Sequence, residues 1–116
     1  MRSLAADENF NRKVLNGVLR VAPYLNIIQI QNSEVSGEDD SIVLAWTSQH
    51  NLILLSHDYA TIPFQANKRI CSGLRMTGVL MVPQIVSTRQ MIEEIILSVV
   101  GFSDEEWNNR IQYLPL

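Results

Sequence analysis

Short apolar runs alternate with helical stripes along the whole of this chain, and that alternation restricts the fold more than any single residue does. Leu4 to Ala6 reads as a brief buried strand, Leu25 to Gln31 as a second and Leu52 to Leu55 as a third; Gly78 to Val82, stopped by Pro83, reads as a fourth and Ile111 to Leu114 as a short last one. Helical patterns run between them. Asn9 is placed to cap a helix carrying Phe10, Val14, Leu15, Val18 and Leu19, ended by Pro23; Asp39 or Asp40 opens another through Ile42, Val43, Ala45 and Trp46; Ile62 to Ser72 is weakly helical and closed by Gly73. Ser87 to Gln90 and Ser103 to Glu106 both have the capping-box form, the first starting the strongest helix of the chain and the second a short one carrying Trp107. A parallel neighbour is reached only through a crossover, so such alternation predicts an α/β fold. The expected architecture is a three-layer α/β/α sandwich with a mostly parallel central sheet of four to five strands, the wholly apolar third strand at its centre. A length of 116 residues fits one domain, 1–116.

The acids stand where strands should end. Asp7 and Glu8 follow the first strand, Asp39 and Asp40 open the second helix, and Asp58 closes the third strand after Ser56 and His57. Carboxyl ends of parallel strands share one edge of the sheet, so these residues are expected to converge. Carboxylates gathered in one crevice repel unless a cation lies between them, and oxygen ligands suit Mg²⁺ or Mn²⁺. Each acid has a simpler reading as well: Asp7-Glu8-Asn9 as a polar turn, Asp40 as a helix cap. His57, one residue before Asp58, is expected on the opposite side of an extended strand, as a supporting or surface group.

Composition removes several classes of function. An apolar fraction of 47% with a net charge of −3 is that of an ordinary globular protein rather than a disordered one. No apolar stretch approaches the roughly 18 to 20 residues that span a bilayer, and no leader pattern opens the sequence, so no membrane partner is expected and the cytoplasm is the default location. The lone Cys71 makes no disulfide or zinc site and reads as a buried or half-buried filler. There is no Gly-rich phosphate loop and no partner for a Ser-His or Cys-His nucleophile. Arg12, Lys13, Lys68, Arg69 and Arg75 are the cations that could gather near the crevice, or they are scattered solvated charges.

Two metal-binding α/β patterns resemble this arrangement. Asp7-Glu8 and Asp58, with Pro63 shortly after, resemble a phospho-accepting receiver, but strand four ends Val82-Pro83-Gln84 without a hydroxyl and the only lysines are Lys13 and Lys68. The closer resemblance is to a small bacterial PIN-like family of uncharacterised function, itself similar to VapC-type toxins. It rests on Leu4-Ala5-Ala6-Asp7-Glu8-Asn9-Phe10-Asn11-Arg12, on Ser36-Gly37-Glu38-Asp39-Asp40 leading into Val43-Leu44-Ala45-Trp46, and on Leu54-Leu55-Ser56-His57-Asp58. Gly73 to Val79 and the closing Ile111 to Leu116 extend it over essentially the whole chain. The resemblance implies a Mg²⁺- or Mn²⁺-dependent ribonuclease, the toxin half of a toxin–antitoxin pair. Its metal ligands would be Asp7, Asp40 or its neighbour Asp39, and Asp58, with Glu8 as a further acid. Asn9, Arg12 and Ser56 would serve the substrate or support the ligands. RNA and a small antitoxin protein are the implied partners, and the oligomeric state is open between a monomer and a homodimer. Tyr59-Ala60-Thr61 departs from the family pattern by offering no fourth acid. That leaves one metal, recruitment of Glu8, or a binding module that cuts slowly or not at all.

Overall fold

The computed structural model describes all 116 residues, Met1–Leu116. Five strands, β1 (Ser3–Ala6), β2 (Ile27–Gln29), β3 (Leu52–Ser56), β4 (Val79–Met81) and β5 (Ile111–Tyr113), form one sheet in the order β2-β1-β3-β4-β5. Every neighbouring pair is parallel, with Ala6 opposite both Gln29 and Leu55, and Ser56 opposite Met81, which in turn faces Tyr113. The helices are α1 (Arg12–Val21), α2 (Asp40–Gln49), α3 (Ile62–Cys71), α4 (Thr88–Gly101) and the short α5 (Asp104–Trp107).

Successive strand residues point to opposite faces, and the chain uses both. Leu4, Ala6, Ile53, Leu55 and Leu80 face a core closed by Val14 and Val18 of α1, Met91 and Ile95 of α4, and Trp107. Ala5, Leu52, Leu54, Val79 and Met81 face the other core, with Val43 and Leu44 of α2 and Ile62 and Ala66 of α3. The result is the α/β/α sandwich expected, with β3 buried throughout at the middle of the sheet. Close approach of α1 to α4 depends on Gly17, where a Cβ would overlap the end of the Ile92 side chain.

Several local expectations are corrected. Asn11, not Asn9, caps α1, its side chain accepting from Lys13 N–H (2.9 Å) and Val14 N–H (3.2 Å). The chain first makes a turn closed by Phe10 N–H on the Asp7 carbonyl (3.0 Å), which delays the helix. The second strand is cut to Ile27–Gln29 because it is an edge strand, and Ile30–Asn32 turns away as a 3₁₀ helix. Ser87 does cap α4, accepting from Gln90 N–H (3.2 Å), but Gln90 sends its own amide to Glu94 (2.8 Å), so the reciprocal half of the box is missing. Ser103 and Glu106 form a complete box. Cys71 ends α3 exposed rather than buried. No helix is long and apolar enough to cross a membrane.

Candidate functional site

From β1 the chain crosses outward to β2, then returns past β1 to β3 on its other side. The two crossovers therefore diverge between β1 and β3, and their carboxyl ends leave a crevice there, the position where open parallel sheets place ligands. Asp7 leaves β1 and Asp58 follows β3 directly into this crevice. A cavity of about 440 Å³ occupies it, lined by Asp7, Glu8, Glu38, Asp40 and Asp58 with Asn9, His57 and Gln84 among the remaining walls.

Ser56 is the hinge of the arrangement. Wholly buried at the end of β3, it donates its hydroxyl to Asp7 Oδ2 (2.8 Å) and accepts from Asp58 N–H (3.0 Å), tying the first acid to the third. Asp7 Oδ1 accepts from Glu8 N–H (3.0 Å). Burial nevertheless raises the Asp7 pKa above the usual carboxylate value, opposed by these two hydrogen bonds and reinforced by the charges of Asp40 and Asp58. Asp58 goes the other way. The Thr61 hydroxyl (2.6 Å) and the Ala60 and Thr61 N–H groups, both 3.1 Å from Oδ1, stabilise its ionised form and lower its pKa. Crevice carboxylates driven apart in this way are a mark of functional sites.

Thr61 takes a role the sequence reading did not give it. Its hydroxyl lies within hydrogen-bond reach of Asp40 Oδ2 as well as Asp58 Oδ2. One hydroxyl carries one hydrogen, so it satisfies one carboxylate and leaves the other oxygen facing a lone pair. The signal was present in Asp58-Tyr59-Ala60-Thr61 before the Pro63 helix, a spacing that brings an aspartate back onto its i+3 residue.

His57 has the supporting role expected of it, but on the crevice side. Its Nδ1 meets the Val82 carbonyl (2.6 Å) and its Nε2 meets the Asn11 N–H (3.0 Å). A carbonyl only accepts and an amide N–H only donates, so Nδ1 donates to Val82 and Nε2 accepts from Asn11. Stacked on Phe10 at 4.4 Å, the ring clamps the Asp7–Asn11 turn to the β3–β4 edge and forms a wall of the crevice instead of pointing away.

The remaining expected residues divide. Asp40 is the first residue of α2 and lines the cavity; Asp39 occupies the cap position, exposed, without making a side-chain cap bond. Glu8 lines the cavity while its Oε1 accepts from Gly37 N–H, holding the β2–α2 loop as the far wall. Asn9 is a wall residue. Arg12 is not. It borders a small adjoining recess on the β2 side with Gln29 and Gln31, whose wall Asp7 and Glu8 share. The other expected cations are absent from the cavity wall: Arg75 reaches Ser48 O and Asn51, and Arg69 donates to Arg75 O (2.6 Å).

The donor set is oxygen-rich and anionic, which suits a hard divalent cation. No three His, Cys, Asp or Glu side chains stand close enough to clasp one ion unaided. Mg²⁺ is commonly held by one or two carboxylates with water completing its shell, so Asp7, Asp40 and Asp58 fit such an ion as a partly hydrated guest. No family model, curated protein or solved structure matches this chain.

Proposed function

We propose that the chain is a PIN-like ribonuclease dependent on Mg²⁺ or Mn²⁺, with Asp7, Asp40 and Asp58 as the cation-holding residues. The observation that carries this reading is the charge of the crevice. Five carboxylate residues and no lysine or arginine line it, at the topological switch point of a parallel sheet. A phosphodiester is repelled from such a wall unless a cation accompanies it. When bound, the cation would neutralise charge on the phosphoryl oxygens and the leaving oxygen and lower the pKa of an attacking water.

The chain's own residues have separable parts in this reaction. Asp58, kept ionised by Thr61 and two backbone N–H groups, supplies fixed negative charge. Asp7, whose ionised form burial and the neighbouring Asp40 and Asp58 disfavour, is a carboxylate that a bound cation would relieve. Ser56 orients both, and His57 with Glu8 keeps the walls in place. Preference for RNA, action as a toxin and control by a small antitoxin protein rest on the sequence resemblance alone.

The test is degradation of mixed RNA substrates by purified protein, with Mn²⁺ or with chelator, for wild type and Asp58→Asn side by side. Cleavage only by wild type with Mn²⁺ supports the proposal. Equal traces in all four lanes refute it and leave a cation-binding interaction module as the better reading.

A further inference from the structure

The acid crevice creates a difficulty for its own proposed substrate. With no lysine or arginine in its wall, and with Arg12 as the one cation of the adjoining recess that Asp7 and Glu8 also line, electrostatic attraction to phosphates, the usual source of nucleic-acid affinity, is limited at this edge. Groups that do not depend on phosphate charge would add to it. Two tyrosines are such groups. Tyr59 directly follows Asp58, and Tyr113 ends β5 in register with Met81 and, through it, with Ser56. The Tyr59 and Tyr113 rings stack on each other at a centroid distance of 6.1 Å and an interplanar angle of 30°, yet remain 44% and 46% exposed. Folding does not require an aromatic pair to stay half in water at the carboxyl edge of a sheet. Strands lie about 4.8 Å apart, which puts β5 roughly 14 Å from β1 and therefore just beyond the crevice along the same edge.

We infer that Tyr59 and Tyr113 form a stacking platform for a base of single-stranded RNA whose neighbouring phosphodiester lies at the acid crevice. The inference rests on the ribonuclease reading for the identity of the strand, and it adds that the substrate is unpaired. A π-face is open to stacking only where the base is not enclosed in a duplex. Stacking on aromatic side chains is tolerant of sequence and contributes binding without a counter-charge.

The experiment has two arms. Binding is read by anisotropy of a short fluorescein-labelled single-stranded oligoribonucleotide with hydrolysis-resistant linkages in Mn²⁺, on otherwise native protein so that the cation-holding residues stay intact. Tyr59→Ala/Tyr113→Ala should weaken binding about 5- to 100-fold, Tyr59→Phe/Tyr113→Phe should bind as the parent does, and an abasic or fully duplexed probe should bind the parent as weakly as the alanine variant. Cleavage by the otherwise native protein in Mn²⁺ is measured separately. Tyrosine-dependent binding without cleavage supports the platform and removes the nuclease reading. Cleavage with equal binding by parent and alanine variant overturns the platform and leaves the nuclease reading intact. No binding by the parent, or equal binding of intact and abasic probes, also overturns the platform.

Discussion

Replacing Asp7 by Asn should make the cation-free protein more stable. The amide is nearly the same shape, its oxygen can keep the bond from Glu8 N–H (3.0 Å), and its NH₂ can donate to the Ser56 hydroxyl oxygen now 2.8 Å away. Packing is conserved, but the Ser56 hydroxyl, which also accepts from Asp58 N–H, loses the acceptor for its own hydrogen, so the lost charge is opposed by one lost donation. Burial raises the Asp7 pKa with help from Asp40 and Asp58, even after the hydrogen bonds have pulled it down, so ionised Asp7 is a net cost to the folded state near neutral pH. Because the side chain is only partly buried, solvent screens much of that cost. A net gain of about 0.5 to 1 kcal/mol is expected, or roughly 2 to 4 °C in Tm for a domain of this size. The pH dependence follows from the direction of the shift. Asp7's contribution is fully present below the unfolded aspartate pKa of about 3.9 and is lost as pH rises through its higher folded value. The advantage of the variant should accordingly be largest near pH 7 and vanish in acid. Asp58 and Glu106, whose pKa values are lowered, lose their stabilising contributions in acid in both proteins and cancel from the difference. Urea unfolding of both proteins across this pH range with chelator present is the assay. Mn²⁺ should reverse the order, since only wild type gains, by about 2.7 kcal/mol at a hundred times Kd. A variant less stable than wild type at pH 7 in chelator, or a difference that does not change with pH, would refute the reasoning.

Two further substitutions test the scaffold. His57→Ala removes the bonds to Val82 O and Asn11 N–H and the stack on Phe10, and should cost about 2 kcal/mol while speeding hydrogen exchange at the Asn11 amide; unchanged exchange there would contradict the clamp. Gly78→Ala places a Cβ 2.8 Å from Trp107 Cε3 at a φ of +127°, and a loss of about 2 to 4 kcal/mol in urea unfolding is expected; a change under about 0.5 kcal/mol would mean that the Trp107 wall yields easily.

The layer order and the acid edge were legible in the sequence because both follow from pattern and length: the short apolar run Leu52 to Leu55 between two helical stripes suits a buried strand, and an acid after such a strand emerges at the sheet's carboxyl end. What stayed hidden depends on contacts between distant segments. Ser56 reaches Asp7 at the end of the neighbouring strand β1, and His57 curls back to Asn11 and Val82 because the chain leaves its extended course at the end of β3. Alternation along a strand said nothing about a residue just past its end. The cap shifted from Asn9 to Asn11 for a related reason, since either asparagine suits a cap and only the Phe10–Asp7 turn chooses between them. The exposed Cys71 and the cations kept away from the crevice show that composition does not report placement.

The central claim, that Asp7, Asp40 and Asp58 hold a divalent cation at the β1/β3 switch point, is tested most directly by crystals soaked in Mn²⁺ and measured for anomalous scattering. The account predicts a peak in the crevice, ligated by at least two of these carboxylates directly or through water. An empty crevice at millimolar Mn²⁺, or a peak only elsewhere on the surface, would contradict it.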